Sequence, residues 1–532
     1  MPCKIERIEQ SKHADWDLGD NCLKHSQLLR VGLPVLLFSL LGFLVMGYHP
    51  GAEDDSTYLS AVKARLDPAL YPHDAAFFQL QLRSSVFDTW MARFVQGTGM
   101  PVAWAELLWQ SISIVLFVWA CYGIVCLLFK EASARWGSIA LAASMFTLPV
   151  AGTALYLLDQ HLHPRNPATA LILLGVWRIL ARRQWQAIPA VAVAFLLHPL
   201  MGALGIYFCC VLTLTLSDSV YAYLRSICRS MTPSPATAAM FLPFGWILSP
   251  PSREWLDAAH TEHIYHQYQL YQWAWYEWLG ALGPLVIFWA VARLAARRGE
   301  IKLSRFSSAV LIYGLSVQLL SMAILFPGAP VGLSTLEPMR YLQLIYIFLV
   351  LIGGAYLGKY LLRTSVWRWA VLLLAANGGM FIAQRQLFAS TQHLELPSDA
   401  SANPWFQAFD WIRLNTPQDA YFALDPNYLS SPGEDYHGFR ALAERSALAD
   451  IIKDTGSVTK SPELGPEWAR EVQAESCELG SRRCPGWSQD RLQDFERLKA
   501  KFGVNWVLVA YPPTAGLDCR WHNDALTVCQ IP

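Results

Sequence analysis

Long apolar segments separated by short polar ones fill the first three quarters of the chain. A helix that crosses a bilayer needs about 20 mostly apolar residues, and a half-helix that stops at a re-entrant break needs fewer. By this measure the pattern predicts eleven spans, over residues 29–48, 103–129, 136–158, 166–181, 187–198, 199–217, 236–250, 275–295, 305–326, 340–360 and 367–388. The two short spans that meet at His198-Pro199 leave an alternative open, in which 187–217 is one kinked span.

The composition agrees with a polytopic α-helical membrane protein. Hydrophobic residues make up 54% of the 532 residues and charged residues 15%, against about 25% charged in an ordinary globular protein. This balance argues against a soluble cytosolic enzyme, a disordered protein and a nucleic-acid binder. Membrane lipids are therefore an expected partner, and nucleic acid is not.

Basic residues predict the orientation of the spans. Residues 1–389 hold 28 Lys and Arg, and eleven spans place 20 of them on the side of the amino terminus. Merging 187–217 would move the basic cluster at 293–305 to the other side, which the positive-inside rule disfavours. We therefore expect a multi-pass protein of the cytoplasmic (inner) membrane. Its 1–28 segment is inside, 29–48 is an uncleaved signal anchor, and the loop 49–102 is large and exported.

The tail 390–532 is predicted to be a small exported α/β domain, after a membrane domain over 29–389. Helix-like patterns over 406–415 and 488–502 alternate with short apolar runs at 420–424 and 506–510 that suit buried strands. Its four cysteines form two close pairs, Cys477/Cys484 and Cys519/Cys529, as disulfides in an oxidising compartment would. Four unrelated thiols are the alternative, and the spacings match no usual zinc motif.

The loop after the first span holds the most informative residues. Glu53, Asp54 and Asp55 follow one another close to the predicted outer membrane face, with Tyr58 just beyond. A carboxylate that loses solvation at the lipid boundary gains proton affinity, which suits a general base for an acceptor hydroxyl. The alternative is that Asp54 or Asp55 only caps the helix that starts near Ser56, since acids favour helix amino termini.

Other outer loops carry ionisable groups close to the membrane, where removing a charge from water costs free energy. They are Asp159, His161, His163 and Arg165 in one tight turn, His198 at the break between two spans, and Glu337 with Arg340 at the start of span ten. Together they suit a phosphate-bearing ligand, whose charge Arg165, Arg340 and the histidines would counter. In the simpler interpretations, Arg340 only extends its charged end to the membrane surface, and His198 is a buried core histidine whose hydrogen bonds are made within the protein. Asp159, His161 and His163 suit a divalent metal only by a generic spacing, so no metal site is assigned.

This layout resembles the GT-C superfamily of integral-membrane glycosyltransferases. The resemblance rests on Glu53-Asp54-Asp55 with Tyr58 after the first span, on the segments 163–167 and 198–202, and on Arg340 at the start of a late span. Residues 411–420 also look like the opening of the soluble domain in several bacterial members. The Trp-Trp-Asp signature of the oligosaccharyltransferases is absent, and no subfamily is assigned.

The resemblance implies transfer of a sugar, with inversion, from a polyprenyl-phosphate-linked donor to a glycan, lipid or protein acceptor at the outer face. Asp54 or Asp55 would be the catalytic base. The substrate-binding set would be Glu53, Tyr58, Asp159, His161, His163, Arg165, His198, Glu337 and Arg340. Members that use lipid monophosphate donors look metal-independent, so no cofactor is required, although a divalent metal stays possible.

Two other classes of function remain open. A transporter or flippase for a lipid-linked or small solute fits the break at His198, because transporters build sites at discontinuous helices. No inverted repeat is visible, however, and a transporter has little use for an acidic exported loop. A membrane scaffold that presents the tail to envelope partners predicts that Asp54→Asn and Asp55→Asn are harmless.

Overall fold

The computed structural model describes residues 25–218, 251–261, 270–325, 331–398, 401–481, 483–487 and 491–532, which are mostly helical. The predicted span 236–250 and the first 24 residues lie outside them. The helices up to the tail are α1 (His25–Met46), α2 (Asp55–Leu66), α3 (Ala76–Leu82), α4 (Phe87–Thr98), α5 (Val102–Leu128), α6 (Ala132–Ser144), α7 (Arg165–Leu180), α8 (Gln184–Leu197), α9 (Pro199–Leu216), α10 (Arg253–Thr261), α11 (Trp275–Arg297), α12 (Ile301–Ile324), α13 (Leu342–Tyr356) and α14 (Val366–Leu387).

Six helices in the described residues are long and apolar enough to cross a membrane. They are α5, α9, α11, α12, α14 and the helical stretch Gly332–Leu362, which contains α13. Two shorter apolar helices, Val31–Met46 within α1 and α8, accompany them. The prediction of a mostly helical protein is thereby confirmed, and these apolar helices agree with a membrane-embedded protein; the count of eleven spans stays a prediction.

The predicted span 136–158 is wrong in its extent. Helix α6 ends at Ser144, and β1 (Pro149–Val150) pairs antiparallel with β2 (Leu155–Tyr156) in a hairpin. Proline disfavours helical backbone in the residue before it, and Gly152 takes a positive φ of 65° in the turn. The hairpin is mostly apolar, with Val150 and Leu155 buried, so hydropathy alone cannot distinguish it from the second half of a span.

The chain does break at His198, as two separate half-length helices require. Pro199 occupies the first position of α9, where its missing N–H costs nothing, and His198 has an extended backbone. The His198 Nδ1 atom accepts the backbone N–H of Met201 at 3.4 Å, so this side chain caps α9. The helix is therefore interrupted at His198, while the number of times 187–217 crosses the membrane stays a prediction.

Helix α7 lies at the centre of the membrane part, between α5 and α8. Its side chains are buried nearly all round, including Ala168, Ile172, Leu173 and Val176 with no exposed surface. Arg165 is its first residue, so the buried helix brings an arginine to one end of the bundle. The turn before α7 is consequently held deep in the protein.

The first loop, the turn before α7 and the tail lie at the same end of the bundle. The His49 N–H donates to the Gln160 carbonyl at 3.0 Å, Tyr48 forms a bridge with Leu394, and the Ser85 hydroxyl donates to the Leu197 carbonyl at 2.7 Å. At the other helix ends, Arg182 and Arg305 both donate to the Leu216 carbonyl, and Lys359 pairs with Glu131. These basic groups belong to the predicted inner side, so the sorting of loops into two sets agrees with the prediction.

The tail folds as a five-stranded sheet with helices on both faces. Its elements are α15 (Pro404–Asn415), β3 (Tyr421–Leu424), α16 (Phe439–Ala443), β4 (Ser446–Ala447), α17 (Lys453–Lys460), α18 (Gly465–Ala474), α19 (Leu492–Phe502), β5 (Trp506–Ala510), β6 (Asp518–His522) and β7 (Leu526–Gln530). The strand order is β4-β3-β5-β7-β6, with the first three strands parallel and the last three antiparallel.

Alternate residues of the strands supply the two faces of this sheet. Phe422 and Leu508 pack with α15, whereas Ala423 and Val507 pack with α19. Asn403 starts α15 by accepting the Trp405 N–H, and Pro404 takes the first helical position. Both predicted disulfides, Cys477–Cys484 and Cys519–Cys529, are formed.

The tail is tied to the first loop by backbone pairs and by buried charges. Ala52 forms a bridge with His437, and the Glu53 N–H donates to the Tyr436 carbonyl at 2.9 Å. Arg440 binds Asp74 of the first loop and Asp454 of the tail, and all three groups are almost fully buried. Loop and tail therefore form one continuous surface above the bundle.

Glu471 on α18 gives the tail a testable dependence on pH. Its buried carboxylate accepts the Ala449 N–H at 2.8 Å, and burial raises the pKa of Glu471 to about 7. The unfolded chain has a pKa of about 4.3, so the folded state holds a proton that the unfolded state has lost. This group's stabilising contribution is complete below about pH 4.3 and is lost as the pH rises through about 7.

We expect Glu471→Gln to remove that loss, because the amide keeps the hydrogen bond without a charge. Its apparent unfolding temperature should exceed that of the wild type at pH 8 and lie close to it at pH 5, measured by differential scanning fluorimetry in detergent. Glu478→Gln, at an exposed position just after α18, serves as the control. A Glu471→Gln variant whose apparent unfolding temperature equals that of the wild type at both pH values would contradict this assignment.

Candidate functional site

Side chains from the first loop, the turn before α7, the break at His198 and the start of α13 come together with α17 of the tail. The His163 Nε2 atom lies 3.7 Å from the Asp54 Oδ2 atom. The Tyr58 and His163 rings are 4.6 Å apart between centroids, and the His163 and His198 rings are 5.7 Å apart. Arg340 is close enough to act electrostatically on all three rings. We call this region the Asp54 cleft, formed by Asp54, Tyr58, His163, His198, Arg340, Lys453 and Lys460.

Asp54 has an accessible carboxylate in the middle of these segments. Its side chain is 68% exposed, although charged residues of the membrane part and of the tail surround it. Asp54 is therefore an accessible acid with charged neighbours in both the membrane part and the tail. Asp54 also makes no side-chain capping bond to α2, which removes the simpler interpretation that it only caps this helix.

Positive charges keep Asp54 ionised. Its enclosed position by itself raises the pKa of Asp54, but the charges of Arg165, Lys460 and Lys453 outweigh this effect and lower the pKa below its ordinary value. A carboxylate that is ionised at neutral pH can accept a proton without first losing one. Asp54 thus has the protonation state that a general base needs.

Asp55 points away from the cleft into the protein. It is 2% exposed, and its Oδ2 atom accepts the Gly51 N–H at 2.6 Å. Its carboxyl group also lies within hydrogen-bonding reach of the carboxyl group of Glu106, at the start of α5. Burial raises the pKa of Asp55 above its ordinary value. Of the two candidate bases, the geometry therefore favours Asp54.

Glu53 shapes the loop through its backbone. It has a positive φ of 47°, and its carbonyl accepts bonds from the Lys453 ammonium at 2.8 Å and from the Ser56 hydroxyl at 2.8 Å. Burial raises the pKa of Glu53. These contacts join the loop to α17, so Glu53 helps to place Asp54.

Arg165 forms a bidentate ion pair with Asp159. Its Nε and Nη2 atoms donate to the two carboxylate oxygens of Asp159 at 3.0 and 2.7 Å, and both residues are 3% exposed. This pair occupies one edge of the guanidinium, while the buried Nη1 atom has no hydrogen-bond partner among the described residues. The charge of Arg165 also acts on Asp54.

The turn before α7 fixes the proton on His163. The His163 Nδ1 atom accepts the Arg165 N–H at 2.9 Å, which leaves the proton of the neutral ring on Nε2, the nitrogen nearest Asp54. Burial and the charge of Arg165 lower the pKa of His163 well below its usual range, so the ring is neutral. Asn166 holds the turn by donating to the His161 and Asp159 carbonyls. His163 therefore presents an N–H donor to the cleft.

Asp159, His161 and His163 do not assemble into a metal site. Arg165 occupies both oxygens of Asp159, His163 Nδ1 already accepts a backbone N–H, and the two imidazole centroids are 6.4 Å apart. His161 is 2% exposed, and within the described part of the chain neither of its nitrogens has a hydrogen-bond partner.

Arg340 and Glu337 form an ion pair at the mouth of α13. Their side chains are 17% and 10% exposed, and Glu337 has a positive φ of 41° that turns the chain into this helix. The Arg340 guanidinium lies within electrostatic reach of Tyr58, His163 and His198. This location agrees with a role in binding an anion.

No family model matches this chain. A search of the curated proteins also finds no significant match. The assignment of function therefore depends on the chemistry of the cleft alone.

Sequence reasoning missed the contribution of the tail to the cleft. Lys453 and Lys460 lie seven residues apart, two turns along α17, and both charges act on Asp54. This spacing places both ammonium groups on one side of the helix, which was a signal available in the sequence. Glu106 was also missed, because a single acid near the start of an apolar span gives no sign of its partner Asp55.

Proposed function

We propose that the protein is a membrane glycosyltransferase that moves a sugar from a polyprenyl-phosphate donor to an acceptor hydroxyl. The observation that carries this proposal is the ionised, accessible Asp54 carboxylate, which lies beside His163 and among the positive charges of Arg165, Lys453 and Lys460. An inverting sugar transfer needs both features, because a proton is removed on one face of the sugar and a phosphate departs from the other.

In the proposed reaction Asp54 accepts the proton of the acceptor hydroxyl. The acceptor oxygen then forms a bond to the anomeric carbon, while the bond from that carbon to the phosphate oxygen breaks. The electron pair of the broken bond stays on the lipid phosphate, which leaves as an anion. A single displacement of this kind inverts the anomeric centre.

Arg340 and Lys460 would stabilise the leaving phosphate. Both charges act on His198, so both lie within electrostatic reach of this ring. Charge-assisted bonds to an oxyanion are about twice as strong as neutral ones, and they gain strength where water is excluded. The Nε2–H of His163 and the hydroxyl of Tyr58 are further donors for the sugar.

The position of the cleft favours a lipid-linked donor. His198 and Arg340 both lie at ends of apolar helices, on the side of the bundle that the first loop and the tail cover. A polyprenyl chain can remain between lipid and protein there while its phosphate reaches the cations. By the positive-inside rule this side is the outer face of the cytoplasmic membrane.

The transporter alternative keeps one supporting observation, the helix break at His198. The two functions differ in their product.

Purified protein in lipid nanodiscs should transfer radiolabelled sugar from one member of a panel of polyprenyl-phosphate sugars to an acceptor in an envelope extract. Uptake of the lipid-linked sugar by proteoliposomes without any transfer would instead support transport.

Arg340→Gln is expected to weaken use of the donor. Loss of one charge-assisted bond to a phosphate costs about 1.5–3 kcal/mol, so kcat/KM for the donor should fall about 10–100-fold. The acceptor KM should stay the same, since the proposed role of Arg340 is confined to the phosphate. The matched control is Arg413→Gln, which removes an arginine from an ion pair on the exposed side of α15. Equal losses in both variants would contradict this role.

A further inference from the structure

Beside the Asp54 cleft, two histidines and a glutamate from three distant segments meet. His49 follows α1, Glu395 follows α14 and His437 precedes α16. The His49 Nδ1 atom lies 2.8 Å from Glu395 Oε1, and the His437 Nε2 atom lies 2.9 Å from Glu395 Oε2. One ligand atom from each residue can be chosen so that all three lie within 4.8 Å of one another.

We propose that His49, Glu395 and His437 bind one divalent transition-metal ion, with zinc as the best match. Two imidazoles and one carboxylate are a ligand set that zinc uses, with a water molecule in the fourth position. Imidazole nitrogen selects zinc-like ions over magnesium or calcium, which prefer oxygen ligands. The site belongs to neither the cleft nor the proposed transfer reaction.

The backbone holds the three ligands in place. The Glu395 N–H donates to the Tyr48 carbonyl at 3.0 Å, next to His49, and His437 pairs with Ala52 in a bridge. The His49 ring stacks on Phe388 with a centroid distance of 3.8 Å. Both histidines have no exposed surface, and the Glu395 side chain is 10% exposed. Such a preorganised and largely buried set loses little entropy on binding a metal.

A further carboxylate lies behind one of the ligands. Glu434 Oε1 is 4.0 Å from His437 Nδ1, the nitrogen that faces away from Glu395, and both side chains are 1% exposed. A histidine that binds metal through one nitrogen usually donates the other N–H to a carboxylate or a carbonyl. When a metal takes the Nε2 position of His437, its proton can reside on Nδ1 toward Glu434.

The competing arrangement needs no metal. In that case each neutral imidazole donates one hydrogen bond to Glu395, and the carboxylate only joins the loop to the tail. The two arrangements differ in metal content and in the response of stability to chelators. Neither readout depends on whether the protein is a glycosyltransferase.

The test uses the full-length protein, purified in detergent without a polyhistidine tag and dialysed against metal-free buffer. Elemental mass spectrometry should find about one zinc ion per chain, as expected for a specific zinc site. A membrane-permeant chelator should lower the apparent unfolding temperature by several degrees, and added zinc should restore it. X-ray absorption at the zinc edge should show two imidazole ligands.

Glu395→Gln should reduce the zinc content to a small fraction, because an amide is a poor zinc ligand but keeps hydrogen-bonding capacity toward both histidines. His437→Gln should also lose the ion. His522→Gln, a change of an exposed histidine on β6, should retain it. A wild-type protein without stoichiometric metal, whose unfolding temperature does not respond to zinc or chelator, would overturn the proposal in favour of the hydrogen-bonded arrangement.

Discussion

Replacing Asp54 with asparagine should lower the rate of sugar transfer by about 10²–10⁴-fold, the usual contribution of a general base. The asparagine is nearly isosteric but cannot accept the proton of the acceptor hydroxyl. The Asp54 side chain is 68% exposed and caps no helix, so this change should leave membrane insertion and the unfolding temperature as they are. The loss should fall on kcat, with little change in the donor KM.

The measurement is initial-rate transfer from the active polyprenyl-phosphate sugar, with wild type and variant at equal concentrations in nanodiscs. Asp410→Asn is the matched control, since Asp410 is an exposed acid of the tail whose partner is Arg413. If the Asp54→Glu variant regains part of the transfer rate, this would support a role of the carboxylate in proton transfer. An Asp54→Asn variant with full transfer activity would remove Asp54 from the mechanism.

Arg440→Met should destabilise the contact between the first loop and the tail by about 3–5 kcal/mol, because it leaves buried carboxylates without a counter-charge. Arg440 donates to both oxygens of Asp454 at 2.8 and 3.0 Å, and it also binds Asp74. Asp74 and Asp454 are 2% and 4% exposed. Burial raises the pKa of Asp454 to about 6 even with Arg440 present, so its ionised form depends on this partner.

Limited proteolysis and thermal unfolding would measure this effect. The variant should be cut sooner in the tail, while the bundle stays resistant, because the charge cluster lies outside the bundle. Adding Asp74→Asn to the variant should restore part of the stability, since one unpaired charge is then removed. Arg413→Met breaks only an exposed pair and should cost less than about 1 kcal/mol. Equal stability of Arg440→Met and Arg413→Met would show that the cluster is not essential.

The local features of the fold were largely predictable from the sequence. The strand Trp506–Ala510 lies where the pattern places it, and the helix Pro404–Asn415 begins two residues before the predicted 406–415, because apolar periodicity is a local signal. The hairpin Asp518–Gln530 was not predicted, since its first strand is mostly exposed and polar. The apolar pattern predicts a span across the hairpin after α6, because short apolar strands and a membrane helix are similarly apolar.

Long-range pairing limited what the sequence predicts about the site. Asp54, His163, His198 and Arg340 were identified singly, since each is a polar residue in an apolar context, and the structure brings them together. The partner of Arg165 was six residues away in Asp159, yet residue types alone did not distinguish this ion pair from a phosphate site. The contribution of α17 depends on how the tail docks, which no local pattern specifies.

The most direct test of the central claim is a cryo-electron microscopy structure in nanodiscs with a polyprenyl-phosphate sugar bound to the Asp54→Asn variant, which should not turn it over. We expect the phosphate within hydrogen-bonding distance of Arg340, and the anomeric carbon between that phosphate and the side chain at position 54. Donor density in a different cavity, with the cleft holding only water, would contradict the account.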